Sequence, residues 1–341
     1  MIEPNVKLLL KSQGYEVVGS HSRVKTCHWT KSDLRGEGGC YKHKFYGINS
    51  HQCVQMTPTF TCNNACVFCW RDLRYHTQPA MEGGIDAPED IVAGTIDAQK
   101  RLLSGFGGNE KTSEEKFERA MKPQHVAISL DGEPTLYPRL PELIKEYHKR
   151  NFSTFVVSNG LLPERIAKLL EEPPTQLYIS VDAPNEELFN IIDRPLLKNA
   201  WQGLMKTLSM LPEIREKSRT VLRFTLIKGL NMVHAEQWAE IIRLSQPMFV
   251  EVKAYMWVGM SRERLEQANM PLHEEVKEFA LEIAKYADYK LIDEHEPSRV
   301  VCLMRKGMKR YIDFPKFFEI VNSGVTASAD KYSSERMCSN I

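Results

Sequence analysis

Six times between residues 55 and 287 a short β-rich run is followed by a stretch with helical spacing, and this alternation restricts the fold more than any other feature. The runs are "QMTPTF" (55–60), "HVAISL" (125–130), "STFVVS" (153–158), "QLYISV" (176–181), "TVLRFTLI" (220–227) and "MFVEVKAYMW" (248–257). Their branched and aromatic side chains suit a pleated surface. Their near-continuous apolar character suits parallel strands covered on both faces. The segments "PEDIVAGTIDAQKRLL" (88–103), "YPRLPELIKEYHKR", "LPERIAKLLEE", "NAWQGLMKTLSML", "VHAEQWAEIIRLS" and "LHEEVKEFALEIAKYA" repeat apolar residues at three and four, as one face of a helix does. Repeated βα units predict an α/β fold, either a barrel or an open sheet. In both, ligands gather at the C-terminal ends of the strands.

The chain has 341 residues, 42% hydrophobic and 26% charged, as expected of a globular protein of one large domain or two ordinary ones. No run of eighteen apolar residues is present, and "MIEPNVKLLLKSQGYEV" does not read as a secretion signal, so a cytoplasmic location without a membrane span is expected. Thiols stay reduced there, and eight cysteines then point to metal or redox chemistry rather than disulfides. The net charge of +1 excludes a strongly basic protein but leaves room for local nucleic-acid patches. Two are visible: Arg23, Lys25, Lys31, Arg35, Lys42 and Lys44 in the first, and "RKGMKRYIDFPK" (305–316) in the second. Residues 107–121 read as a polar loop, and the tail from residue 323 as a segment that frays.

Directly after the first predicted strand comes "FTCNNACVFCWRDLRY", with Cys62, Cys66 and Cys69 spaced C-x3-C-x2-C. Three thiolates on one short loop can wrap a corner of an iron–sulfur cube, for which they are the ligands of matching softness. A structural zinc site needs four ligands, usually as two C-x2-C pairs, and no second pair is present. With an aromatic residue, Phe68, before the last cysteine, the motif resembles the signature of the radical S-adenosylmethionine family. The resemblance implies a partial (β/α)6 TIM-like barrel with N-terminal and C-terminal extensions, a [4Fe-4S] cluster whose open iron chelates S-adenosyl-L-methionine, and reductive cleavage of the sulfonium to a 5′-deoxyadenosyl radical. "SLDGEPTLYP" (129–138) is similar to the family's "GGEP" element, with Asp131 in place of the first glycine. By that resemblance Asp131, Gly132 and Glu133 are expected to meet the ammonium of the cofactor, and Ser158 and Asp182 its ribose. Ser and Asp also end strands for purely local hydrogen bonding.

Upstream, Cys27, Cys40 and Cys53 are spaced C-x12-C-x12-C, in surroundings such as "GEGGCYKHKFYG" that are too charged and glycine-rich for core. They suggest a second three-thiolate cluster; the alternative is a set of small buried hydrophobes. Cys302, in "RVVCLMRK", reads as a strand residue and Cys338 as a tail residue; both stay outside the two trios, although either is available as a fourth ligand.

Taken together, the two cysteine trios, "TPTFTCNNACVFCWRD" and "SLDGEPTLYP" resemble the archaeal tRNA 4-demethylwyosine synthases of the wybutosine pathway over residues 20–318. This implies two [4Fe-4S] clusters, with residues 1–54 supplying the second, 55–295 forming the barrel and 296–341 a C-terminal extension. It implies tRNA-Phe containing N1-methylguanosine at position 37 as substrate and pyruvate as co-substrate. A hydrogen atom leaves the N-methyl group, the resulting radical adds to the pyruvate carbonyl carbon, the carboxyl carbon is lost, and condensation closes a third ring. The second cluster would chelate pyruvate. A lysine would capture the ketone as a Schiff base, which requires a lowered pKa; Lys42 is favoured over Lys44 and Lys253. Trp70, Arg71, Arg74, Tyr75 and His76 would line the entrance, Tyr255 and Trp257 would stack, and Arg305, Lys306, Lys309 and Arg310 would hold phosphates. Eukaryotic relatives carry a flavodoxin-like domain, so a monomer served by an external electron donor of flavodoxin or ferredoxin type is expected. The alternatives are another radical enzyme, such as a glycyl-radical activase, and a two-cluster electron carrier, which leaves "DGEP" and the six βα units without a purpose.

Overall fold

A computed structural model of the chain describes Leu8 and residues 10–324 and 328–337. Its centre is a ten-stranded sheet in which the strands follow one another almost in chain order. Two short antiparallel strands, β1 (Tyr15–Val18) and β2 (Ser22–Lys25), lead in, followed by helices α1 (His28–Leu34) and α2 (Tyr41–Tyr46). Six parallel strands come next: β3 (Cys53–Thr57), β4 (His125–Ile128), β5 (Ser153–Ser158), β6 (Gln176–Val181), β7 (Arg219–Leu226) and β8 (Phe249–Ala254). Between them run α3 (Pro88–Leu103), α4 (Glu114–Ala120), α5 (Leu140–Lys149), α6 (Pro163–Lys168), α7 (Glu186–Ile192), α8 (Ala200–Ile214) and α9 (Ala235–Ser245). After α10 (His273–Lys285), the antiparallel β9 (Tyr289–His295) and β10 (Val300–Arg305) close the sheet, with β10 against β8. Because parallel neighbours are also sequence neighbours, there is no switch point, and the crossover helices cover one face. This is the partial (β/α)6 barrel expected.

Period-two alternation divides each strand between two cores. Val54, Met56, Val126, Ile128, Val156, Leu177, Ile179, Leu222, Phe224, Val250 and Val252 face the helices. Phe155, Val157, Tyr178, Val221, Phe249 and Cys302 face the other way, where Tyr41, Phe45 and Tyr46 of α2 and Phe314 and Phe317 of α11 (Phe314–Asn322) plug the barrel floor. Arg219, fully buried beneath this plug, donates to Gln176, to the carbonyls of Lys309, Arg310 and Tyr311, and to the Ser333 hydroxyl. The C-terminal segment is thereby stitched to the barrel.

Three expectations change. Residues 114–120 form a helix rather than loop, because Ser113 caps it by accepting from the Lys116 amide. Part of the tail is packed: β12 (Ser333–Ser334) pairs with β11 (Tyr311–Ile312), and Tyr332 is buried. Residues 325–327 and 338–341, including Cys338, lie outside the described residues. Arg305 to Arg310 follow β10, whose end pairs with the start of β8, so this basic stretch lies at the floor and not at the ligand-bearing rim. There Arg310 pairs with Asp293, Lys309 with Asp330 and Lys306 with Asp288, so these cations have partners away from the rim.

Candidate active site

The loop after β3 carries Cys62, Cys66 and Cys69 across the mouth of the barrel. Neighbouring segments fix its shape through the backbone. The Cys62 amide donates to the His76 carbonyl at 2.9 Å, Val67 to Ile192 at 2.8 Å, and Leu196 back to Asn63 at 2.9 Å. Arg264 reaches across from the segment after β8 and donates to the carbonyls of Val67 and Cys69. Gly132 at φ +69 lies so close that a Cβ would come 2.1 Å from the Thr59 carbonyl oxygen, so only glycine fits there.

Burial pushes the Cys62 thiol up to about 12, and Cys66 also well above its usual value, with nearby carboxylates and the sister cysteines adding to it. Such thiols stay protonated unless iron offsets the cost of ionisation. Asn63 Nδ2, Asn64 Oδ1 and Asp193 Oδ2 are buried beside them without a partner, and orphaned polar atoms at this density call for an occupant. Among the described residues, no three His, Cys, Asp or Glu side chains converge on a point-ion site. A cube wider than one ion accommodates more widely set thiols. Three thiolates on one loop are the soft donors that an iron–sulfur cluster takes.

The second trio is assembled by short elements. Cys27 precedes α1, Cys40 precedes α2, and Cys53 opens β3. Ser50 holds them together: its carbonyl accepts from Thr30 at 3.0 Å and its hydroxyl from the Cys40 amide at 2.8 Å. His51 meets Asp33 at 2.7 Å, tying α1 to the same turn. Burial pushes Cys40 and Cys53 up to about 12; Cys27 adds to both, and the Lys42 ammonium opposes the rise. The three thiols and Lys42 thus share one neighbourhood. Lys42 Nζ lies 4.4 Å from the Tyr178 ring centre, on the concave face.

Lys44, expected as a candidate behind Lys42, points outward to Asp293 at 2.8 Å and to the Glu294 carbonyl at 2.7 Å. Lys253, on the inner face of β8, is held down to about 8 by burial and by Arg223, and donates to the Ser298 carbonyl at 2.7 Å. Ser180, Arg223, Glu251 and Cys302 form one row across the sheet. Cys302 is buried there as a strand residue, 4.0 Å from the Tyr46 hydroxyl.

The expected cofactor residues take different parts. The Glu133 carboxylate accepts from the Thr135 amide and hydroxyl, the Ser158 hydroxyl and the Asn159 amide, all within 3.0 Å. Three of these donors meet Oε1 and one meets Oε2, so the carboxylate is a rivet between strand ends that keeps acceptor capacity on Oε2. Ser158 donates to that rivet and accepts from the Gly160 amide, so it positions Glu133. Asp131 is held by Arg23 at 3.0 and 2.6 Å and is likewise structural. Asp182 accepts from the Thr225 amide at 3.1 Å and is raised by burial to about 6. Tyr255 is core, bonded to Ser261 at 2.8 Å, and the Trp257 indole donates to the Leu265 carbonyl. Asp193 and Arg264, both holding the cysteine loop, gave no sequence signal: they are remote in the chain and belong to no spacing pattern.

The radical SAM superfamily profile matches residues 56–242, and a profile described as wyosine base formation matches residues 244–305. With its barrel and cysteine loop, the chain belongs to the radical SAM superfamily and uses S-adenosyl-L-methionine and a [4Fe-4S] cluster. The S-adenosyl-L-methionine-dependent tRNA 4-demethylwyosine synthase of Pyrococcus abyssi is 47% identical over 301 residues, 87% of either chain. The Arabidopsis thaliana protein of that name is 39% identical over 98% of this chain and 53% of its own. A solved structure described as "Structure of TYW1 with a lysine-pyruvate adduct bound" superposes with a TM-score of 0.81 at 38% identity, covering 92% of this chain and 99% of that one. "Crystal structure of archaeal TYW1" gives 0.74 at 36% identity over 91% and 98%. Within the superfamily, the chain is a member of the tRNA 4-demethylwyosine synthases, enzymes of wyosine-base formation. The activase alternative is not favoured. Among the described residues no helix is long and apolar enough to cross a membrane.

Proposed function

We propose that this enzyme condenses pyruvate with N1-methylguanosine at position 37 of tRNA-Phe to give 4-demethylwyosine, and that Lys42 holds the pyruvate. The observation that carries this reading is the position of Lys42, flanked by Cys40 and Cys53 and set against the Tyr178 ring on the concave face. When bound, the first cluster and S-adenosyl-L-methionine supply a radical that takes a hydrogen atom from the N-methyl group. Cys27, Cys40 and Cys53 would hold the second [4Fe-4S] cluster, with residues 1–54 as the segment that supplies it. The Lys42 amine condenses with the pyruvate ketone, which fixes the acceptor carbon in place. Glu251, which accepts from Tyr46 at 2.8 Å and faces Lys42, is placed to take the proton that the amine must lose. Arg223 and Lys253 provide positive charge on the same wall for a carboxylate. The lysine–pyruvate adduct in the solved relative's description supports this reading. The protein works in the cytoplasm as a monomer with a separate one-electron donor.

Borohydride reduction in the presence of labelled pyruvate tests the assignment. The account expects one stable adduct, mapped by peptide mass spectrometry to Lys42 and absent from Lys42→Arg. Label on Lys253 or Lys44 instead contradicts it.

A further inference from the structure

A cavity of about 480 Å³ opens beside the cysteine loop; of the expected cofactor residues only Asp131, already paired with Arg23, lines it. Tyr15, Phe60, Trp70 and Tyr75 give it aromatic walls, and Lys25 and His76 add polar groups. None of the six cluster cysteines, nor Lys42, Glu133, Ser158 or Asp182, lines it. A strap closes one side of it: the Met260 amide donates to the Trp70 carbonyl at 2.9 Å, and a Cβ on Gly259 would come 2.2 Å from that oxygen.

We propose that this cavity receives a base flanking the target nucleotide, splayed out of the anticodon loop. The proposal rests on the tRNA reading above and deepens it. Every base has a π-face, and stacking on aromatic side chains in a cationic groove is how proteins hold unpaired RNA. Tyr75 is 57% exposed and Trp70 38%, so their rings are open to a ligand. Lys25 Nζ lies 4.3 Å from the Tyr15 ring centre and 5.9 Å from that of Trp70, and among the described residues no carboxylate pairs with it. It is free to meet a phosphate, whereas Arg23 and Arg74 are neutralised by Asp131 and Asp72. His76 is more than nine-tenths buried, and its Nε2 has no partner, a polar atom waiting for a base edge or a ribose hydroxyl. The His76 carbonyl holds the Cys62 amide, so the cavity shares a wall with the cluster loop. A base seated here would leave its neighbour positioned over the barrel mouth.

The test uses reconstituted enzyme and an anticodon stem-loop RNA with N1-methylguanosine at position 37, intact or with an abasic residue at 36 or at 38. Trp70→Ala, Tyr75→Ala and Lys25→Ala are compared with wild type by equilibrium binding; Tyr75 and Lys25 are peripheral enough for those variants to fold. Weakening of roughly 10- to 100-fold on intact RNA is expected for Trp70→Ala combined with Tyr75→Ala. At one of the two abasic positions wild type should bind as weakly as the variant, with no further loss on combining the two changes. Unchanged affinity of the variants for intact RNA overturns the proposal, including the case where flavodoxin-driven turnover falls instead and the face serves the reductant. Fully additive losses at both abasic positions also overturn it. If wild type itself fails to bind the methylated RNA, the functional reading falls too, and the wild-type arm alone reveals it.

Discussion

Cys66 Sγ lies 3.4 Å from a carboxylate oxygen of Asp193, a residue 127 positions further along the chain. The Cys66 thiol donates to that oxygen, and burial, with the nearby Asp182, pushes the Asp193 carboxyl well above the usual carboxylate range. Hydrogen bonds to cluster ligands orient them and tune the potential. Asp193→Ala should reduce cluster retention on gel filtration by roughly 10- to 100-fold. Asp193→Asn, which keeps a polar side chain of the same shape beside the sulfur, should retain more. Iron and sulfide assays, with the reduced-state EPR signal, check this.

At Gly132 the left-handed backbone and the contact with the Thr59 carbonyl leave no room for a side chain. Gly132→Ala must displace backbone at the cofactor rim at a cost of about 1–3 kcal/mol. Binding of S-adenosyl-L-methionine, measured by equilibrium dialysis, should weaken by about tenfold or more by that estimate, while the far-ultraviolet circular dichroism stays unchanged.

Arg219 holds the floor. Arg219→Ala leaves the carbonyls of Lys309, Arg310 and Tyr311 without their donor. It should lower unfolding free energy by about 3–5 kcal/mol, the scale for breaking a buried charged network. Arg219→Lys should rescue little, because an ammonium cannot span a planar fork of acceptors. Urea unfolding measures the loss, and limited proteolysis should cut first within 309–334.

Much of the fold was legible because the six parallel strands are buried on both faces and so read as apolar runs. The flanking strands were not: "YEVV" and "YKLIDEH" mix charge with apolar residues because they form the sheet edges and are partly exposed, and "SRVK" because buried Arg23 pairs with Asp131. Helices α1 and α2, with seven and six residues, are too short to show a period. Spacing made both trios visible because the ligands are local in sequence. The parts of Glu133, Ser158 and Asp131 were hidden, because their partners at 159, 133 and 23 are chosen by the fold. The same holds for Arg310, whose partner Asp293 could not be inferred from a basic run.

His125 gives a pH signature. Burial, with a smaller contribution from His51, holds its ring down to about 3, so the folded protein keeps it neutral. Below about pH 6.5 the unfolded chain binds a proton that the folded chain refuses until near pH 3. Stability therefore falls as pH drops through that window, by about 1.4 kcal/mol per unit from this residue. His125→Asn, which also loses the bond to Ser153, should be less stable at pH 7.5 yet show a shallower decline toward pH 5. Urea midpoints at several pH values check the slope.

The central claim is that two cysteine trios divide the labour, one for radical generation and one for ring closure. The most direct measurement is anaerobic turnover of methylated tRNA-Phe with pyruvate and S-adenosyl-L-methionine, with 5′-deoxyadenosine and modified nucleoside both read by mass spectrometry. The account predicts that Cys66→Ala makes neither product, whereas Cys40→Ala still makes 5′-deoxyadenosine and no tricyclic base. Normal 4-demethylwyosine from Cys40→Ala would contradict it.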